Sequence, residues 1–154
     1  MEYLIVKWLH ILSSTLVFGT GIGSAFYLLV ASLGRQPHTV AFVARHVVRA
    51  DWMFTATTMV FQPASGFYLV YLAGIPLETG WIMWSIALYL VALACWLQVV
   101  KLQFNMRDIA DRAAREETDL PPAYWRNFRL WFALGFPALF AFVAIFYLMV
   151  VKPV

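Results

Sequence analysis

Charge is scarce in this 154-residue chain. Only 12% of its residues are Asp, Glu, Lys or Arg, against 63% hydrophobic, which leaves too little polar side chain to wrap a water-soluble core. Cysteine is scarcer still. Cys95 stands alone, which excludes an internal disulfide and a thiolate metal cluster; inside an apolar run it reads as a small buried hydrophobe. Phosphate-binding loops, nucleophile elbows, zinc spacings and paired intramembrane carboxylates are all missing. No basic segment leads the first apolar run, Glu2 precedes it, and it outruns a signal-peptide core, so it is expected to stay as a span.

What the chain does have is four apolar stretches. Residues 3–31, 51–73, 81–103 and 128–151 each approach or exceed the ~20 residues that cross ~30 Å of hydrocarbon as a helix. They predict one all-α domain over 1–154, an integral membrane four-helix bundle. Gly34 and Pro37 mark the end of the first helix. From 38 to 50 the pattern stays helical but turns basic. A helix running unbroken from there to Ala73 would exceed the bilayer, so 38–50 is read as an extension of span two beyond the membrane. Residues 104–117 extend span three in the same way, with Asp108/Arg112 and Asp111/Arg115 as i, i+4 pairs on a solvated face; Pro121-Pro122 stops this helix. Pro63 and Pro137 fall at similar depth in spans two and four. Pro63 leaves the Met59 carbonyl without its helical donor and Pro137 does the same for Ala133, so kinks, partners from neighbouring side chains and a local widening of the bundle are expected there.

Arg35, Arg45 and Arg49 lie between spans one and two. Lys101, Arg107, Arg112, Arg115, Arg126 and Arg129 lie between or at the ends of spans three and four, whereas the 74–80 turn carries only Glu78. By the positive-inside rule the basic segments face the cytoplasm, which puts both termini on the outer side. The net charge of +3 therefore reads as topology and contact with anionic lipids at the cytoplasmic face, not as nucleic-acid binding.

Ionisable side chains are expensive in hydrocarbon, and those inside a span usually face the bundle interior, a cavity or a cofactor. Span one carries two, Lys7 and His10. With Ser14 they stand at i, i+3 and i+7, on one helical face. Histidine is a usual axial ligand of haem iron, and a lysine one turn away is placed to pair with a porphyrin propionate near the interface. The opposing reading is packing, with His10 hydrogen-bonded to Ser13 or Ser14. Gly19 and Gly23 form a GxxxG pair with Gly21 between them, a signal for helix association; the same missing side chains would admit a flat ligand. As a second axial ligand the outer level offers Met83 and, more weakly, Met149, although both also suit core filling. His46, beside Arg45 and Arg49, belongs to the other side of the bilayer and reads as a solvated interfacial histidine. Two functional classes stay open on these residues. One is a haem b or porphyrin protein, working in electron transfer with a quinone or a redox partner protein, or in tetrapyrrole handling. The other is a non-enzymatic partner subunit or small transport component. Homo-oligomerisation fits either.

Lys7-Trp8-Leu9-His10, Phe26-Tyr27-Leu28, the Thr58/Pro63/Gly66 span, Trp81 at the start of span three, Arg126-Asn127-Phe128 and the Val150-Val151-Lys152-Pro153 tail together resemble the small membrane protoporphyrinogen IX oxidases of the HemJ type. More closely, the chain is similar to their uncharacterised relatives, a bacterial family of predicted integral membrane proteins. The resemblance runs over all four spans. It implies a four-helix bundle in the bacterial cytoplasmic (inner) membrane, with His10 as a haem b ligand and Lys7 near the tetrapyrrole. The chain departs from the oxidases in span three. Where they carry a histidine and a lysine it reads Met83-Trp84-Ser85, and Cys95-Trp96 stands near the place of a further histidine. These losses argue against protoporphyrinogen oxidation and leave His10 as the haem-binding residue.

Overall fold

The structure is a computed structural model that describes residues 1–153, all-helical with no strand among them. Helix α1 runs Glu2–Leu33, α2 Pro37–Ala50, α3 Ala56–Ala73, α4 Gly80–Arg115 and α5 Pro122–Val151. Three of these, α1, α4 and α5, are long and apolar enough to cross a membrane. Helix α3 is shorter, at 18 residues, and Thr57, Thr58, Gln62 and Ser65 dilute its hydropathy.

Helices α2 and α3 form one rod, because the link between them, Asp51–Thr55, is a π-helical turn and not a break. One surplus residue in such a turn rotates the following helix against the preceding one. The rotation matters because the two parts bury different faces. Helix α2 is amphipathic: it buries Val40, Ala41, Ala44, Val47 and Val48 and exposes His38, Arg45 and Arg49. Helix α3 instead buries a polar stripe of Thr58, Gln62 and Ser65 together with Met59.

Pro63 sits inside α3 without ending it. The Met59 carbonyl that it frees accepts a hydrogen bond from the Tyr89 hydroxyl of α4, so a neighbouring helix supplies the missing donor. Helix α1 ends at Leu33 with Gly34 as its cap, where the glycine signal puts it, but Gly34 stays right-handed and the left-handed conformation falls on Arg35, φ 55°. Two turn bonds fix this geometry, Gly34 N–H to the Val30 carbonyl and Arg35 N–H to the Ser32 carbonyl. After α3 the left-handed position falls on Gly74, φ 65°, where glycine carries no penalty.

The apolar core is concentrated at the end of the molecule where α2 lies, built from Leu28, Val40, Ala44, Met106, Ala110 and Tyr124 with their neighbours. Ion pairing between Arg45 and Asp111 ties α2 to α4 at its margin. Toward the other end, large apolar side chains face outward: Val60 is 73% exposed and Phe140 66%, the surface of helices solvated by lipid. Helices α4 and α5 run against each other, and α1 packs on α2 and α3.

Candidate functional site

Half-buried His10 projects from α1 onto the polar stripe of α3. Its Nδ1 lies 2.7 Å from the Ser65 Oγ, and the Gln62 side-chain amide donates to the His10 carbonyl at 3.0 Å. Gly66 completes the cradle, since a Cβ there would meet His10 Cε1 at 3.4 Å. Ser65 has one hydroxyl hydrogen and reaches the Phe61 carbonyl at 2.7 Å and the Gln62 carbonyl at 3.2 Å. When that hydrogen goes to its own helix, Nδ1–H donates to Ser65 and Nε2 keeps its lone pair. The packing alternative drawn from the sequence named the wrong serines. Ser14 donates to the Ile11 carbonyl, and the Ser13 hydroxyl is buried without a partner among the described residues.

The other residues singled out from the sequence are spread around this pair. Lys7 is exposed, its ammonium 5.8 Å from the Tyr3 ring centroid. Added Cβ atoms at Gly19, Gly21 and Gly23 would meet nothing within 4 Å, so these glycines are not spent on helix packing inside the chain. Met83 is 56% exposed at the start of α4, and Met149 is 37% exposed near the end of α5. His46 is exposed, with Nδ1 2.8 Å from the Phe42 carbonyl. Among the described residues no three His, Cys, Asp or Glu side chains converge as a metal site. Iron at His10 would therefore need a macrocycle to supply its remaining ligands.

A second polar group, not singled out from the sequence, lies where the π turn meets α4. Asp51, only 5% exposed, accepts a hydrogen bond from Thr55 Oγ1 at 3.0 Å, and the Gln103 amide lies against the same carboxyl. The acid and the threonine at i, i+4 were a visible signal; the partner from α4 was not. Beside them a cavity of about 380 Å³ opens between α1 and α5. Met59, Gly135, Phe136 and Ala138 line it, so it falls at the level of the two in-helix prolines.

The chain belongs to the family described as predicted integral membrane protein (DUF2269), whose model matches residues 4–153. No curated protein and no solved structure matches it.

Proposed function

We propose that this member of the DUF2269 family binds haem b or a related porphyrin in the bacterial cytoplasmic membrane, with His10 Nε2 as the axial ligand. The observation that carries the reading is the His10–Ser65 contact. Ligating histidines commonly donate their other ring N–H to a fixed acceptor, which sets tautomer and ring orientation, and Ser65, anchored to its own helix, is such an acceptor. Exposed Lys7 is free to meet a propionate, whereas Gly19, Gly21 and Gly23 lie about 13–20 Å further along α1, Gly19 and Gly23 on the side away from His10, and do not enter this site. Ser14 stands a turn beyond His10 on the same face, and Met83 is the candidate second ligand. When bound, haem supplies one-electron chemistry; the chain's part is to present Nε2, hold the proton on Nδ1 and keep water away from the iron.

The same reading takes the molecule as a four-span bundle, with the Asp51–Ala73 segment as the second span. The basic ends of α2 and α4 lie at the cytoplasmic face against anionic lipid, and both termini lie outside. Purified protein expressed with ample haem should show a Soret band and about one haem per chain in a pyridine haemochrome assay. His10→Ala should remove both signals; a spectrum unchanged by that substitution sinks the assignment. Protoporphyrinogen oxidation is a narrower alternative, and rescue of a strain lacking that enzyme tests it directly.

One observation favours a second reading, a partner subunit without a cofactor. Gly19 and Gly23 touch nothing inside the chain, as expected of a small-residue face reserved for another helix. A colourless preparation that cross-links through cysteines placed at Gly19 or Gly23 would support it.

A further inference from the structure

The geometry points to a second binding site, independent of His10 and of the haem reading. The cavity between α1 and α5 takes a neutral, lipid-soluble ring bearing a hydroxyl, of the hydroquinone class, with the hydroxyl directed to the Asp51–Gln103 end.

The two helices are joined above and below the cavity, not along it. Phe18 and Phe146 meet edge to face, centroids 5.3 Å apart, and Ser32 Oγ lies 2.6 Å from the Tyr124 hydroxyl. Between these clamps the facing positions are small. Gly21 and Ala25 line one wall and Gly135 and Ala138 the other, and a Cβ at either glycine would meet nothing within 4 Å. The space is thus built into the sequence of both walls. At about 380 Å³ it falls within the ~300–1,000 Å³ typical of small-molecule sites and well above the ~150 Å³ that holds benzene.

Its chemistry narrows the occupant. Trp96, Trp131, Phe132 and Phe136 line the body of the cavity and suit an aromatic ring, which stacks or meets them edge on. The polar end has unused hydrogen-bonding capacity: among the described residues Trp96 Nε1–H has no acceptor and Gln103 Oε1 has no donor. Buried polar groups are ordinarily paired, so these two atoms, on residues seven apart along α4, call for a ligand that carries both an acceptor and a donor. A fatty carboxylate would offer no donor and would face Asp51. An ammonium group would leave the indole unmatched. A bare acyl chain would satisfy neither atom. A hydroquinone, with a hydroxyl at each end of its ring, offers both while the ring occupies the aromatic walls.

The test uses the full chain in nanodiscs, with empty nanodiscs subtracted, under nitrogen. The probes are a decyl-substituted hydroquinone, its dimethyl ether and n-decanol. The hydroquinone should be taken up saturably at about one per chain, and the ether, which has no donor, should bind about tenfold more weakly or worse. The decanol, which has a hydroxyl but no ring, should also bind more weakly. Gly135→Leu should abolish saturable uptake while helix content and thermal midpoint stay at wild-type values, and Gly21→Leu should do the same from the opposite wall. Trp96→Phe, which keeps a ring and removes the N–H, should weaken binding several-fold. Equal affinity for hydroquinone and ether, or no uptake above empty discs, overturns the proposal. Binding that survives both glycine substitutions overturns the location, decanol as good as hydroquinone overturns the ring, and undiminished binding by Trp96→Phe overturns the assigned polar end.

Discussion

The Tyr89 hydroxyl of α4 donates to the Met59 carbonyl of α3, the group that Pro63 leaves without a helical partner. Met59 is buried, so solvent does not take that role. The proline inside α3 is therefore tied to a particular residue of another helix.

Tyr89→Phe should destabilise the fold by about 1–2 kcal/mol, because it removes one hydrogen bond and leaves a buried carbonyl unpaired. Thermal unfolding in detergent measures this. Adding Pro63→Ala, which restores the helix's own donor, should return most of the loss.

Tyr124→Phe provides the contrast. Its hydroxyl meets Ser32, but Ser32 also donates to the Leu28 carbonyl at 2.7 Å and stays satisfied without the tyrosine. The expected loss is only about 0.5–1 kcal/mol. A larger drop in the same unfolding assay would mean that this clamp carries more of the α1–α5 association than its single bond implies.

Ser65→Ala should leave the fold within about 1–2 kcal/mol of wild type and act chiefly on the imidazole. With Nδ1–H no longer held by a fixed acceptor, the haem affinity proposed above should fall about 10- to 100-fold, read by titrating the purified chain with haemin. Ser65→Thr, which keeps the hydroxyl, should recover it.

Gly66→Val tests the cradle sterically. Even a Cβ there would lie 3.4 Å from His10 Cε1, and the two further methyls must displace the ring or the helix. A loss of about 1–3 kcal/mol is expected, together with loss of any His10-dependent absorption. Gly135→Ala, with open space around it, should not lower the thermal midpoint.

Much of the helix layout is legible in the residue pattern. Long apolar runs can only satisfy their backbone groups in lipid as helices, and Pro37, Gly74 and Pro121-Pro122 punctuate the chain where helices give way to turns. The basic stripe of residues 38–50 and the charged run after Arg107 mark polar helical segments for the same periodic reason, although Asp108 pairs with Arg107 and Asp111 with Arg45, not with the arginines four positions on. The π turn at Asp51–Thr55 is not legible in this way, because one added residue in a helix leaves no compositional mark.

The candidate site divides along similar lines. That His10 needs a partner follows from the expense of a lone imidazole in hydrocarbon, and the spacing of Lys7, His10 and Ser14 on one face is a property of the helix itself. Which hydroxyl answers His10 is a matter between helices: Ser65 lies 55 positions away, while nearby Ser14 turns to its own backbone. Asp51, Thr55 and Gln103 show the same division, with the first two linked by one helical turn and the third brought in by α4. The sequence by itself determined that this chain forms apolar helices with a few costly polar groups inside them, because hydropathy and backbone satisfaction act locally. Only the tertiary structure decided which of those groups meet and where the walls stay apart, because partners across helices are selected by packing and not by spacing along the chain.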